Sequence, residues 1–208
     1  MSRFSQAISE GDGISVVPAL AGDLDGQAAA AAEAGAEAIA VATADEAATV
    51  RPVAALSLLV REPVAEVERV HRLHDLGADA FVIRYDDLAG DDERLEVLHA
   101  EALELDVDCA LEVDDEEQLA DALERVDPDI VLISLRERGN EEEELERALD
   151  LLPDVPAGKL VVVETDAVSR EQVLALERAG VDALVVRNLA ATPDFGRAVG
   201  ELVGGTQP

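Results

Sequence analysis

The stretch Leu76-Gly77-Ala78-Asp79-Ala80 joins the end of a helical pattern to a short apolar run, and it predicts the entry from a helix into a buried strand. Glycine ends a helix readily because it adopts left-handed backbone angles, and the residues after it turn the chain. Similar phrases precede three other apolar runs: Ala34-Gly35-Ala36-Glu37-Ala38, Val126-Asp127-Pro128-Asp129-Ile130 and Ala179-Gly180-Val181-Asp182-Ala183. In chain order these are the second, fourth, sixth and eighth runs, and that recurrence indicates a repeating β–α fold.

Eight apolar runs alternate with amphipathic stretches from one end of the chain to the other. Each run is continuous rather than alternating, which is typical of parallel strands buried on both faces. The predicted strands are Ile14–Val17, Ala38–Val41, Ala55–Val60, Asp79–Ile83, Val107–Val113, Ile130–Ile133, Leu160–Val163 and Ala183–Val186. The predicted helices between them include Pro63–Leu76, Asp91–Leu105, Asp115–Val126 and Ser169–Ala179. This order favours a single (β/α)8 TIM barrel over residues 1–208, and an open doubly wound sheet is the alternative.

The chain shows no linker and no second domain, and we expect residues 203–208 to form a frayed tail. The segment Met1–Gln6 has no apolar stretch behind a basic start, which predicts no secretory signal, and no apolar run is long enough for a membrane span. The single cysteine, Cys109, stands among apolar residues of the fifth strand. It predicts a buried, inert thiol in a reducing cytoplasm.

The charge balance is strongly acidic. Asp and Glu number 47 against 16 Lys and Arg, which gives a formal net charge of -31, and Lys159 is the only lysine. Such a charge opposes compaction in dilute buffer, whereas molar salt shortens the Debye length to about 3 Å. Disorder is the alternative for so acidic a chain, but the regular apolar strands argue against it. The composition therefore predicts a halophilic cytoplasmic protein, with neither nucleic acid nor a membrane surface as a partner.

Four arginines follow predicted strands at the end where barrel enzymes place their active sites: Arg61, Arg84, Arg136 and Arg187. The arginine fork holds carboxylates and phosphates and keeps its charge at any working pH. The sequence therefore predicts a mouth that binds an anionic small molecule. The alternative is a closed ion network in which these arginines pair with Glu62, Glu112, Glu164 and Asp166.

Other candidate sites are weaker. His71 and His74 share a helix face, and His99 lies on the next helix. A third ligand of matching spacing is missing from the sequence, so this histidine pair does not indicate a metal site. Nor does the chain contain a glycine-rich phosphate loop, so we expect neither metal nor cofactor. The acidic run Glu141–Glu144 is typical of a solvated helix start.

The second half of the chain resembles indole-3-glycerol phosphate synthase, the tryptophan-pathway barrel that closes a carboxyphenylamino-deoxyribulose phosphate into an indole. Four segments are similar to the family's strands four to seven: Leu73–Ile83, Leu111-Glu112-Val113-Asp114-Asp115-Glu116-Glu117-Gln118-Leu119, Val131-Leu132-Ile133-Ser134-Leu135-Arg136 and Val162-Val163-Glu164-Thr165-Asp166. Arg3-Phe4-Ser5-Gln6-Ala7-Ile8 resembles the segment ahead of strand one. The resemblance implies that Glu112 serves acid–base chemistry, that Glu164 lines the substrate pocket, and that Arg136 is the strand-six arginine.

Other positions depart from the family pattern. The strand-three lysine, a general acid in the family, is replaced by Arg61, which does not readily release a proton. The strand-one glutamate and lysine correspond to Pro18 and Leu20, and Ala21-Gly22-Asp23 replaces the Ser-Pro-Ser phosphate loop. The remaining departures are Ser134 for an asparagine, Arg187-Asn188 for the phosphate-binding Gly-Ser, and a barrel shortened at its N-terminus.

These departures favour a divergent relative that has lost the synthase reaction. It would bind an anionic ligand or a partner through Arg61, Arg84, Arg136 and Arg187, with Ser134 and Asn188 beside them. The alternative is an active lyase in which Glu112 is the base, Glu164 orients the substrate and Arg61 gives electrostatic help. A third possibility is a structural barrel whose mouth is sealed by ion pairs. The sequence does not indicate an oligomeric state.

Overall fold

A computed structural model of the protein describes residues 4–11, 13–88, 91–134, 148–166 and 169–204. Its strands are β1 Ser15–Pro18, β2 Ala38–Val41, β3 Ser57–Pro63, β4 Ala80–Arg84, β5 Asp108–Val113, β6 Ile130–Ser134, β7 Leu160–Thr165 and β8 Ala183–Val186. Its α-helices are α1 Phe4–Ser9, α2 Leu24–Glu33, α3 Ala44–Val50, α4 Val67–Asp75, α5 Asp92–Glu104, α6 Glu116–Leu123, α7 Arg170–Ala179 and α8 Phe195–Val203. Short 3-10 helices span Tyr85–Leu88, Leu152–Asp154 and Leu189–Ala191. No helix within the described ranges is long and apolar enough to cross a membrane.

The eight strands are all parallel and close into a barrel. Each strand pairs with its neighbour in chain order from β2 to β8, and β8 pairs with β1. The seam between β1 and β2 is made by a single parallel bridge, Ala19 to Ala40, with the amide of Leu20 donating to the carbonyl of Ala40 at 2.8 Å. The predicted (β/α)8 TIM barrel is therefore confirmed, and the open-sheet alternative is wrong.

The strand predictions agree closely with the structure, but one helix boundary was wrong. Pro63 is the last residue of β3, and the helix predicted from Pro63 begins at Val67. The pairing of β3 with β4 shifts register between Val60 and Pro63, so the strand runs on through the proline. Proline is tolerated at this extended position because it has no backbone N–H to donate, and the regular hydrogen bonding between β3 and β4 is already interrupted there. The predicted helix start at Glu141–Glu144 lies outside the described residues.

Helix α1 fills the barrel interior at the N-terminal ends of the strands. Three of the inward-facing residues near the N-terminal ends of the strands are alanines: Ala38, Ala80 and Ala183. Their small side chains leave room that Phe4 and Ile8 occupy, and both are almost completely buried in the same apolar cluster. A second, larger cluster lies between the outer faces of the strands and the helices.

The repeated glycine phrases have a common role at the N-terminal end of the barrel. Gly35, Gly77 and Gly180 all have positive φ where a helix ends. After two of them an aspartate caps the neighbouring strand, because Asp79 accepts the amide of Leu58 at 2.9 Å and Asp182 accepts that of Val161 at 2.7 Å. The phrase therefore ends one helix and fixes the register of the strands beside it.

Candidate functional site

The site lies at the C-terminal ends of the strands, where charged side chains of five strands continue the inward rows of the barrel, among them Arg84 after Val82 and Arg187 after Val185. Inward positions recur every second residue, so Arg61 follows Leu59, Glu112 follows Ala110 and Glu164 follows Val162. Glu112 and Glu164 are 2% and 1% exposed. Beside the seam between β1 and β2, the inward residues nearest the mouth are the small side chains of Ala19 and Ala40. Small apolar side chains therefore line the mouth beside this seam, and its charged side chains come from the other strands.

An ion pair between Arg61 and Glu164 crosses the barrel. Arg61 lies near the C-terminal end of β3 and Glu164 near that of β7, and strands four apart in a ring of eight face each other across the axis. Nη2 of Arg61 contacts Oε1 of Glu164, while Nε of Arg61 is buried without a hydrogen-bond partner in the described part of the chain. Separating a buried pair by removing one partner typically costs about 3–5 kcal/mol. This pair therefore forms a fixed floor beneath the mouth, with one unsatisfied donor.

Arg84 and Glu112 form the second buried contact. They lie side by side in the register of β4 and β5, and Nε of Arg84 donates to Oε1 of Glu112 at 3.2 Å. Nη1 of Arg84 also contacts Oδ2 of Asp87 at 3.4 Å, in the 3-10 helix that follows β4. The glutamate that the resemblance implies for acid–base chemistry is thus held by an arginine.

Arg187 follows β8 and contacts a carboxylate at the rim. Its Nε donates to Oδ1 of Asp166 at 3.2 Å, and the side chain of Asp166 is 53% exposed whereas that of Arg187 is 19% exposed. Three arginines of the predicted ion network therefore each contact one of its predicted carboxylates, through a single nitrogen–oxygen contact among the residues described.

Glu62, the fourth carboxylate of the predicted ion network, contacts a helix arginine and none of the described arginines of the mouth. Glu62 accepts from Arg69 of α4 and from the amide of Ala44 at 3.3 Å, because the residue after inward-facing Arg61 points to the helix layer. Burial alone would raise the pKa of Glu62, but the hydrogen bonds from Arg69 and Ala44 outweigh it and hold the pKa below its ordinary value.

The other predicted site residues differ in burial and in whether the structure describes them. Ser134 ends β6 beside Glu164 in the strand register and is 9% exposed. Asn188 is exposed, follows Arg187 directly and precedes the 3-10 helix Leu189–Ala191. Arg136 lies outside the described residues.

Sequence reasoning missed a side chain that ties two loops of the mouth together. Gln27 of α2 accepts the amide of Ala21 at 2.9 Å and donates to the carbonyl of Ala190 at 3.2 Å. It thereby links the loop after β1 to the loop after β8. A glutamine in the second turn of a helix carries no sequence signal for this contact, since the carbonyl lies 163 residues away.

Lys159, Cys109 and the histidines lie away from the mouth. Lys159 precedes β7, at the N-terminal face, and contacts Asp127 there. Cys109 is buried, and burial raises the pKa of its thiol. Nε2 of His71 contacts Oε1 of Glu101 at 2.7 Å on the surface. Within the described ranges, no three His, Cys, Asp or Glu side chains come together in an arrangement that could hold a metal ion.

The family model of indole-3-glycerol phosphate synthase matches residues 20–202, which is most of the barrel just described. The chain belongs to the indole-3-glycerol phosphate synthase family. The synthase of Acidithiobacillus ferrooxidans is 33% identical over 139 residues, which cover 67% of this chain and 52% of that protein. The synthase of Albidiferax ferrireducens is 32% identical over 148 residues, 71% of this chain and 55% of that protein. The chain thus spans about half the length of the synthases it matches.

Solved structures of other barrels share the fold of this indole-3-glycerol phosphate synthase relative. A 3-hexulose-6-phosphate synthase superposes with a TM-score of 0.75 at 13% identity, covering 93% of this chain and all 100% of its own. A mutant tryptophan synthase α-subunit from Pyrococcus furiosus gives a TM-score of 0.68 at 18% identity, covering 91% and 98%. At these identities the likeness shows the barrel architecture alone.

Proposed function

We propose that the mouth of this barrel binds an anionic small molecule and does not carry out the synthase reaction of its family. The observation that carries the proposal is the state of Arg61. It stands where the family resemblance places a lysine acid, it is paired with Glu164 across the barrel, and no acceptor for its buried Nε lies among the described residues. An anion seated above the floor would supply that acceptor.

The loss of a proton donor argues against the family reaction. Arginine stays protonated at any working pH and therefore does not serve as a general acid. Lys159, the only lysine, lies at the opposite face of the barrel in contact with Asp127. Loss of a general acid alone lowers a rate by roughly 10²–10⁴. The family's strand-one charged positions are also gone: Pro18 ends β1, and Leu20 packs in the outer cluster.

The charges at the mouth favour an anion. Among the described residues, Arg61 and Arg84 contact the buried carboxylates of Glu164 and Glu112, and Arg84 and Arg187 contact the exposed aspartates Asp87 and Asp166 at the rim. Guanidinium groups in a partly desolvated mouth recognise carboxylate and phosphate oxygens through directed hydrogen bonds. This set of charges is unusual in a chain whose net charge is -31.

The test supplies the synthase family's carboxyphenylamino-deoxyribulose phosphate to the purified protein in multimolar KCl and follows indole fluorescence. We expect no turnover from protein that circular dichroism shows to be folded, while equilibrium dialysis detects binding that Arg61→Gln weakens. Arg94→Gln is the matched control, because Arg94 makes its contacts with Glu66 and Asp91 on the surface of α5. If Arg61→Gln and Arg94→Gln bind equally well, the arginine mouth is not the binding site.

An active lyase is the second candidate. Its supporting observation is that Glu112 and Glu164 both face inward at the mouth and are buried there together. On this hypothesis Glu112 is the base, and Arg61 stabilises negative charge in the transition state. Turnover that Glu112→Gln abolishes, with the fold intact, would establish it in place of the binding function.

A further inference from the structure

The ion pairs at the mouth differ in how easily they can open. Glu164 and Glu112 are 1% and 2% exposed at their side chains, whereas Asp166 and Asp87 are 53% and 45% exposed. A buried carboxylate that loses its arginine is left without water, but a carboxylate at the rim returns to solvent. The contacts of Arg61 and Arg84 with the glutamates are therefore fixed, and the two aspartate contacts are the ones that can be exchanged.

We propose that Asp166 competes with ligands for Arg187 from its fixed place on the chain, and thereby determines which anions the mouth accepts. This inference rests on the proposed function. Asp166 follows β7 beside Arg187 and accepts from its Nε at 3.2 Å, so an anion that binds the Nε edge of this guanidinium has to displace the aspartate. A group on the same chain acts at a high effective concentration that a free ligand has to exceed. Asp87 plays the same part toward Arg84, at the longer distance of 3.4 Å.

This competition selects ligands by charge. A monoanion offers Arg187 the same single charge as Asp166 without the advantage of the tether, so it does not displace the aspartate. A dianionic oxyanion offers more charge and several acceptor oxygens for the guanidinium fork. Arg84 ends β4 and Arg187 directly follows β8, and these strands face each other across the ring, so one dianion between the two arginines would gain contacts from both walls. The ligand class is therefore a small dianion, and chloride is kept off Arg187.

Asp166→Asn is the variant that tests the proposal, with Asp75→Asn as its control. Asp75 ends α4 at the opposite face of the barrel and is 80% exposed, so its replacement removes the same charge away from the mouth. Each protein is titrated with sulfate and with acetate by calorimetry at one KCl concentration in which it is folded. Fluorescence of Tyr85 gives a second measurement, because this residue follows Arg84 and is the only tyrosine in a chain without tryptophan.

We expect the wild type and Asp75→Asn to bind sulfate and to show no heat with acetate. Asp166→Asn should bind sulfate about 3- to 10-fold more tightly, since an exposed ion pair no longer has to be broken, and should gain measurable acetate binding. Arg187→Gln should abolish sulfate binding in either background. Sulfate affinity that is unchanged or weaker in Asp166→Asn overturns the proposal.

The same titrations separate this proposal from the proposed function. Sulfate binding that needs Arg187 but is not strengthened by Asp166→Asn leaves the anion-binding mouth standing and removes Asp166 as its competitor. No sulfate binding in any variant, or binding that Arg187→Gln does not change, counts against both.

Discussion

The thiol of Cys109 illustrates how burial alone decides the chemistry of a residue. Cys109 lies in β5, faces the helix layer and is 7% exposed, and burial with the neighbouring charge of Asp108 raises the pKa of its thiol. Because the thiolate is the reactive form, we expect no reaction of the folded protein with a chromogenic disulfide reagent at neutral pH. One thiol should react after denaturation. Rapid labelling of the native protein would show that β5 opens to solvent.

Glu62 gives a prediction with a definite sign against pH. Its pKa in the folded protein lies below the ordinary value of 4.5, so its stabilising contribution is complete above that value and is lost as the pH falls through the folded pKa. Glu62→Gln should therefore lower the free energy of unfolding at neutral pH by up to about 1 kcal/mol, because the pair with Arg69 is partly solvated. Urea unfolding at several pH values measures this, and the difference between variant and wild type should shrink in acid. A difference that grows in acid would contradict the assignment.

At the residue scale, sequence reasoning located the mouth but not all its pairings. Counting strand ends predicted that Arg61, Arg84 and Arg187 would gather there, because a parallel barrel brings all its carboxyl ends to one face. The contact of Glu62 with Arg69 was not predicted, because it depends on α4 beginning at Val67, whereas the sequence pattern placed the start of this helix at Pro63. Asp87 was missed for a similar reason: the 3-10 helix that brings it back to Arg84 leaves no periodic pattern.

At the element scale, the six-residue helix α1 contributes to stability by filling the interior of the barrel. Phe4 and Ile8 are 0% and 1% exposed inside a barrel lined by alanines, so removing either side chain leaves a cavity. We expect Phe4→Ala to lower the free energy of unfolding by about 3–5 kcal/mol and Ile8→Ala by about 2–5 kcal/mol. Leu103→Ala on α5, where the side chain is 55% exposed, is the control and should change it by less than about 0.5 kcal/mol. Chemical unfolding monitored by circular dichroism measures all three, and a mild effect of Phe4→Ala would mean that the interior can collapse around the space.

The elements also differ in how far the sequence predicts them. All eight strands were predictable because strands buried on both faces are continuous apolar runs, and β2 and β8 have the predicted bounds. The role of α1 was not, since six residues are too short to show a helical period and its partners lie on strands far along the chain. Local pattern thus predicts the repeating unit, whereas the filling of the barrel depends on contacts between distant segments.

At the scale of the whole molecule, the charge predicts a requirement for salt. The 16 basic residues can neutralise the charge of at most 16 of the 47 carboxylates, which leaves a net charge of -31 to repel itself over the surface. Many of the pairs that form are exposed, such as Arg72 with Asp45, where the side chains are 54% and 88% exposed, and pairs of that kind contribute little. The free energy of folding must therefore come from the apolar core, and the repulsion between carboxylates opposes it. Salt weakens this repulsion, because the Debye length falls from about 10 Å at 0.1 M to about 3 Å at 1 M. We expect the midpoint of thermal unfolding to rise steeply between these concentrations of KCl.

The choice of salt separates screening from specific binding of ions. If repulsion between surface carboxylates is what KCl relieves, then NaCl at equal ionic strength should raise the midpoint of unfolding nearly as far. Sulfate salts should raise it further, because sulfate also strengthens apolar burial and, on the proposed function, binds the arginine mouth. That second contribution should disappear in Arg187→Gln while the screening contribution remains, since one arginine among 47 carboxylates hardly changes the repulsion. Full stability in dilute buffer would show that the barrel core outweighs the charge unaided, and the halophilic interpretation of the composition would then be wrong.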